Sequence, residues 1–402
     1  MLKISLALLC FLTVAAPAQA QQPTAGELQV QLVLAEPGDL IYSRYGHVAI
    51  RVIGPGMDTV FNFGVTNFKR KGYVKDFLTG RVIFWGKTRN WERTKAKTLK
   101  EDRTLKLFPV NLTQPQARAL LARLQKAMQP EHREYYYDTF RKNCSTILRD
   151  ELDISTKGAV TEQLQAMDSG LSFRDDVRVA FAEMPGLLAG CEIVPGPELD
   201  APRTAWEMTY RPAYLTDALQ KVMIERDGKQ IPLVGPAKVI YTRQGDDPLP
   251  GWPHVGQAWI SGIAAFFALL AFLAWRGGWR LKGALLLVWL LPAILLGALL
   301  EVVAVGTDWP DMQRNALVAV FVSLDLWLLW PVISLMRRRA SPVLRWARGY
   351  LKVRLAVTVF IVLVGLFWPA LGGPLPIRAF ALAGLMLALG ACTPPRAARG
   401  LV

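Results

Sequence analysis

The sequence predicts an α+β domain followed by an all-α bundle of about five transmembrane helices. The first residues have the pattern of an export signal, β-branched runs broken by glycine-rich turns follow it, and the chain becomes strongly apolar beyond Pro253. We therefore expect a signal peptide at 1–20, a globular domain outside the cytoplasm at 21–253 and a membrane domain at 254–402.

The first twenty residues have the three parts of a secretory signal. Lys3 supplies the positive charge, residues 4–16 are apolar, and Ala18 and Ala20 provide the small-x-small pattern before a cleavage point. Cys10 lies inside the apolar stretch and not at the cleavage point, which disfavours a lipoprotein anchor. The domain that follows is therefore expected in the periplasm.

The external domain begins with segments typical of antiparallel strands. Residues 28–34, 47–53 and 59–63 are rich in β-branched and aliphatic side chains, and the last two flank a Gly-Pro-Gly turn at 54–56. Further strands are expected at 81–85 and 104–110.

A helix is expected directly after these strands. Thr113, followed by Pro115 and Gln116, has the pattern of a helix start with a capping box.

Histidines and cysteines are few, which restricts the possible chemistry. The chain has three histidines and four cysteines, and their spacing does not suggest a metal site. We expect no metal and no cofactor. The mature external domain keeps only Cys144 and Cys191, because Cys10 belongs to the signal and Cys392 to the end of a membrane helix.

Cys144 and His47 are the candidate catalytic pair. Asn143 is a good N-cap, so Cys144 is expected in the first turn of a helix, where the helix dipole favours the thiolate. His47 begins a strand, and an imidazole in contact with the thiol would carry its proton. Asn62, on the next strand, is the candidate to accept a hydrogen bond from the ring and orient it.

Each of these residues also has a structural interpretation. Cys144 and Cys191 would form a disulfide in an oxidising compartment, His47 would be an ordinary strand histidine, and Asn62 a polar residue near a turn. A strand histidine with a helix-opening cysteine is the papain-like arrangement. Here the histidine comes first, as in circularly permuted members of that superfamily.

Four segments resemble the Lnb family of lipoprotein N-acyltransferases: SRYGHVAIRV at 43–52, VFNFG at 60–64, YYYDTFRKNCSTILRD at 135–150 and AWEMTYRP at 205–212. The resemblance implies a Cys-His thiol enzyme that takes an acyl group from a phospholipid and gives it to a lipoprotein, at the outer face of the bacterial inner membrane. Since permuted papain-like folds also carry peptidases, the resemblance does not fix the substrate.

The C-terminal part has five apolar runs, each near the ~20 residues that cross a bilayer: 256–275, 283–304, 315–336, 354–371 and 377–393. Basic residues concentrate in the turns that alternate with the external ones, in agreement with the positive-inside rule. The net charge of +15 is thus largely explained by cytoplasmic turns, and nucleic acid is not an expected partner. In one external turn, Trp309, Pro310 and Asp311 either border a path for lipid or anchor the chain at the interface.

Three functions are consistent with these features. The first is acyl transfer through a thioester on Cys144, with the N-terminal amine of a lipoprotein as acceptor. The second is a membrane-tethered cysteine peptidase or amidase of the cell envelope. The third is a non-enzymatic envelope assembly factor in which Cys144 is structural.

Overall fold

The computed structural model describes residues 26–367 and 374–394. The expected signal peptide at 1–20, Cys10 and the arginines at 396 and 399 lie outside the described residues. Within them, the predicted sequence of parts is confirmed: a mixed α+β region is followed by five segments that are long and apolar enough to cross a membrane.

The external region contains eleven described strands, with these bounds: β1 Gln29–Ala35, β2 His47–Gly54, β3 Met57–Val65, β4 Ile83–Asn90, β5 Leu105–Pro109, β6 Glu134–Tyr136, β7 Asp168–Ser172, β8 Pro202–Thr204, β9 Met223–Arg226, β10 Lys229–Pro232 and β11 Lys238–Tyr241. Seven of them form one antiparallel sheet in the order β11-β5-β1-β2-β3-β4-β6. The expected hairpin is present as β2 and β3, and Gly56 supplies the positive φ of its turn (67°).

Nine α-helices accompany these strands: α1 Tyr73–Leu78, α2 Trp91–Lys100, α3 Gln114–Ala127, α4 Cys144–Ser155, α5 Ala159–Gln165, α6 Phe173–Ala180, α7 Pro185–Ile193, α8 Ala205–Met208 and α9 Pro212–Leu219. The helix start expected at Thr113 is confirmed, since Thr113 and Gln116 form a capping box at α3. One face of the sheet packs against α3, α4 and α9, and the apolar side chains of these elements form a common core. Burial of this face fixes α4 across β2 and β3.

The membrane part comprises α10 Val255–Arg276, α11 Trp279–Gly306, α12 Pro310–Gln313, α13 Leu329–Met336, α14 Pro342–Phe367 and α15 Leu375–Cys392. The helix expected from residue 354 begins already at Pro342, so several basic residues assigned to a cytoplasmic turn lie on α14. Its expected end at 371 lies outside the described residues. The protein is a multi-pass membrane protein by the length and composition of these segments.

The third membrane segment is broken, whereas the sequence predicted one helix at 315–336. Between α12 and α13 it forms two 3-10 turns, Ala316–Ala319 and Ser323–Leu328. Glu301 on α11 accepts hydrogen bonds from the Ser323 amide (3.0 Å) and hydroxyl (2.6 Å), and Arg354 on α14 donates to the Val320 carbonyl. Irregular backbone is tolerated at membrane depth where other helices satisfy its polar groups. These partners come from distant parts of the chain, so local hydropathy does not reveal them.

The loop between α11 and the broken segment binds the sheet domain. Arg141, in the loop before α4, forms a two-pronged ion pair with Asp311, with both N–O distances 2.7 Å. The Trp309 indole donates to the Phe77 carbonyl at 2.7 Å. Arg81 pairs with Asp308 at 2.7 Å. The loop therefore lies on the same side of the bundle as the sheet domain, as the alternation of charges predicts.

Replacing Arg141 by alanine should weaken this docking. The Asp311 side chain is only 4% exposed, so losing its cation leaves a buried carboxylate uncompensated. We expect the free energy of unfolding to fall by about 1–3 kcal/mol, because removing one partner costs the desolvation of the other. Thermal unfolding of the detergent-purified full-length chain measures this.

Arg81→Ala is the matched control, because the Arg81–Asp308 pair joins the same two parts with side chains 61% and 57% exposed. An exposed pair contributes about 0–1 kcal/mol, so the Arg81→Ala variant should unfold at nearly the wild-type temperature. Equal losses in the two variants would contradict the assignment of docking strength to Arg141.

Candidate active site

Cys144 is the first residue of α4, as the sequence predicts. The Asn143 side chain accepts hydrogen bonds from the amides of Ser145 (2.8 Å) and Thr146 (3.0 Å) and caps the helix. Leu148 and Leu152, one and two turns on, are fully buried against the sheet. The cap and this apolar stripe together hold the half-buried thiol at the end of a fixed helix.

The end of the β2–β3 hairpin faces the start of α4. Strand pairing runs from Gly54–Met57 to Ile50–Phe61, and β3 then shifts register against β4 between Asn62 and Val65. Gly64 lies in this irregular stretch with a φ of 86°, and a Cβ built there would lie 3.6 Å from the Cys144 Cβ. A glycine meets both requirements, positive φ and close approach of the cysteine.

His47 and Asn62 lie in contact at this end of the hairpin. The His47 Nε2 is 3.4 Å from the Asn62 Oδ1, and the Asn62 Nδ2 donates to the Val60 carbonyl at 3.2 Å. The second contact fixes which end of the amide faces the ring, so Oδ1 accepts from Nε2–H. In that neutral tautomer Nδ1 is the basic nitrogen.

The electrostatics keep both candidate groups neutral. Burial lowers the pKa of His47 to about 4, helped by the positive charge of Arg103, while the hydrogen bond that the ring donates to Asn62 acts in the opposite direction. Burial raises the pKa of the Cys144 thiol, although amides of Val48, Ser145 and Cys144 itself stabilise the thiolate. The helix start favours the thiolate, as expected, but desolvation of the thiol outweighs this effect.

Arg103 and Tyr135 adjoin this site and were not indicated by the sequence. The Arg103 side chain is buried and donates to the carbonyls of Ala35 (2.9 Å) and Glu36 (2.8 Å). Its pKa is lowered by burial and raised by attraction to Glu101 and Cys144. The Tyr135 hydroxyl is buried without a hydrogen-bond partner among the described residues. A nearby cation and an unused donor both suit a site where negative charge develops.

The AWEMTYRP segment supports the cysteine helix. The Asn143 side-chain Nδ2 donates to the Tyr210 carbonyl at 2.8 Å, and the Arg149 guanidinium lies 3.7 Å from the centre of the Trp206 ring. Arg149 also pairs with Asp150 at 2.7 Å. These contacts hold the 205–212 segment against the first turns of α4.

The disulfide alternative is not the arrangement found. Cys144, Cys191 and Cys392 all carry free thiols, and Cys191 lies on α7, where burial raises its pKa to about 11. The described residues, 26–367 and 374–394, contain no group of three or more His, Cys, Asp or Glu side chains that could hold a metal ion.

The raised thiol pKa predicts how Cys144 reacts with iodoacetamide. Its alkylation rate should rise about tenfold per pH unit between pH 6 and 8, because only the small thiolate fraction reacts. Mass spectrometry of the peptide that contains Cys144 measures the rate. His47→Ala should leave this slope unchanged. A fast rate that is flat across this range would instead reveal a preformed thiolate–imidazolium pair.

Comparison with known protein families identifies the domain that carries this site. The family model of the Lnb N-terminal periplasmic domain matches residues 17–182, a stretch that includes His47, Asn62 and Cys144. Neither a curated protein nor a solved structure matches the chain, so the permuted papain-like fold stays a prediction. The chain therefore carries an Lnb N-terminal periplasmic domain, followed by the membrane part.

Proposed function

We propose that this protein is a thiol acyltransferase of the bacterial inner membrane, which forms an acyl-thioester on Cys144 and passes the acyl group to the N-terminal amine of a lipoprotein. The observation that carries the proposal is the contact between His47 and Asn62 at the end of a hairpin that faces the capped start of α4. The Lnb N-terminal domain match supports a role in lipoprotein processing.

In the first step, Cys144 attacks the ester carbonyl of a phospholipid acyl chain. Because thiol and imidazole are both neutral, the thiol proton moves to the His47 Nδ1 as the sulfur–carbon bond forms. The tetrahedral intermediate collapses, the ester carbon–oxygen bond breaks, and the imidazolium returns the proton to the leaving alkoxide. The products are a lysophospholipid and the Cys144 thioester.

In the second step, the amine of the lipoprotein attacks the thioester. Its nitrogen–carbon bond forms, the amine proton moves to His47, and the carbon–sulfur bond breaks. The imidazolium gives its proton to the Cys144 thiolate that leaves, so the enzyme returns to its starting state. Asn62 holds the ring in one tautomer through both steps.

The position of the domain favours this function over its alternatives. Docking on the loop after α11 holds the Cys144 end of α4 close to the membrane part, since Arg141 precedes Cys144 by three residues. A peptidase or amidase of the cell wall needs only a tether, and a structural cysteine needs no contact between His47 and Asn62. Membrane lipids are the substrates that such docking suits.

Intact mass spectrometry of the full-length protein tests the proposal. Wild type incubated with phospholipid vesicles should gain one acyl mass that hydroxylamine removes, and Cys144→Ser should gain none that hydroxylamine removes. Absence of the adduct, together with cleavage of peptidoglycan peptides, would replace the proposal with the peptidase.

Replacing Asn62 by alanine should slow acylation about 10–100-fold, the usual cost of losing a group that orients an imidazole. Asn111→Ala is a matched control, because this amide donates to the Pro232 carbonyl at 2.7 Å and makes no contact with the site residues in the structure. The initial rate of thioester formation measures both variants. Similar rates in Asn62→Ala and wild type would remove Asn62 from the mechanism.

A further inference from the structure

Five aromatic side chains form a continuous row between the candidate site and the membrane part. We name them the aromatic ladder: Tyr42, Phe68, Tyr73, Phe77 and Trp309. Successive ring centroids are 4.9, 5.3, 6.3 and 5.8 Å apart. Each ring thus contacts the next one along the row.

The ladder is open at Tyr42, Phe68 and Phe77, whereas Trp309 at its membrane end is only 5% exposed. Tyr42 is 52% exposed, Phe68 47% and Phe77 37%, and the neighbouring Val74 and Leu78 are 68% and 60% exposed. None of the residues of α1 is buried. Contiguous exposed apolar surface of this kind marks a place where a soluble domain binds an apolar partner or a membrane.

One end of the ladder adjoins the candidate site. Tyr42 precedes His47 by five residues, and Phe68 follows Gly64, which faces Cys144, by four. The Tyr42–Phe68 stack, with centroids 4.9 Å apart, joins the segment that enters β2 at His47 to the segment that leaves β3 beyond Gly64. The ladder therefore begins at the end of the β2–β3 hairpin that faces Cys144.

The other end of the ladder belongs to the membrane part. Trp309 lies three residues after the end of α11 and donates its indole N–H to the Phe77 carbonyl. Tryptophan is typical of the level where acyl chains meet headgroups. The ladder is thus continuous with the membrane-spanning bundle.

Basic residues border the ladder. Lys69, Lys71 and Lys75 are exposed on the segment that carries Phe68, Tyr73 and Phe77. Cations beside an apolar surface suit the phosphate of a lipid whose chain lies on that surface.

We infer that the aromatic ladder binds one acyl chain of a bilayer phospholipid and leads its ester toward Cys144. The four ring-to-ring steps, each 4.9–6.3 Å, are together long enough to span one leaflet of hydrocarbon, about 15 Å or half of the roughly 30 Å core. The delivery to Cys144 rests on the proposed acyl transfer, whereas the binding of the chain does not.

Photocrosslinking tests the binding. Full-length Cys144→Ser is reconstituted in vesicles that contain phosphatidylethanolamine with a diazirine at the end of one acyl chain. Crosslinks should map to residues 68–77 and should be absent from the 238–241 strand, where Val239 is equally exposed (53%). Absence of crosslinks at 68–77 would overturn the inference. It would also be overturned if a diacylglyceryl lipopeptide with the same diazirine crosslinked at 68–77 and the phospholipid did not.

Kinetics test the delivery. In Phe68→Ser, thioester formation from a long-chain phospholipid should fall about tenfold, because each methylene that leaves an apolar surface costs affinity. Acylation by a water-soluble butanoyl ester should change less than about twofold, since four carbons do not need the ladder. Val239→Ser should change neither rate.

The outcomes separate the two proposals. If wild type forms no thioester with either donor, acyl transfer fails, and crosslinking alone decides whether the ladder binds a chain. If wild type forms the thioester and Phe68→Ser loses both activities equally, the ladder is not a path for long chains and this inference fails.

Discussion

The side chain of Asn143 holds together the parts from which the candidate site is built. Its oxygen caps α4 through the Ser145 and Thr146 amides, and its nitrogen donates to the carbonyls of Thr139 and Tyr210, both at 2.8 Å. One amide thus connects the loop before the helix, the helix itself and the AWEMTYRP segment. All four of these contacts are at normal hydrogen-bond distances, and the residue is buried. The position of the Cys144 thiol depends on this network.

The loop before α4 also connects the site to the membrane part, through the loop that follows α11. Arg141 lies two residues before Asn143 and is held by Asp311, so the helix cap and the contact with the membrane part lie in one short segment. The broken third segment begins directly after this loop, and α11 and α14 satisfy its backbone through Glu301 and Arg354. A chain of polar contacts therefore runs from the membrane helices to the start of α4. This arrangement joins the start of α4 to the membrane part.

Features that depend on local sequence could be predicted. The β2–β3 hairpin, the capping box at α3 and the Asn143 cap each follow from a few neighbouring residues, and apolar length alone indicates the membrane segments. Features that depend on distant residues could not. Arg103 influences the pKa of His47 because pairing of β1 and β2 brings the two residues together. The raised pKa of the Cys144 thiol arises from burial by several elements. The break in the third segment and the place of β11 beside β5 likewise need partners far along the chain.

The most direct test of acyl transfer to lipoproteins is made in cells. N-terminal lipopeptides of a lipoprotein are analysed by mass spectrometry from a deletion strain that has no other N-acyltransferase, complemented with wild type or with Cys144→Ser. If Cys144 carries the acyl group, the strain with wild type contains N-acylated lipopeptides and the strain with Cys144→Ser contains only free-amine forms. N-acylated lipopeptides at equal levels in both strains would contradict it.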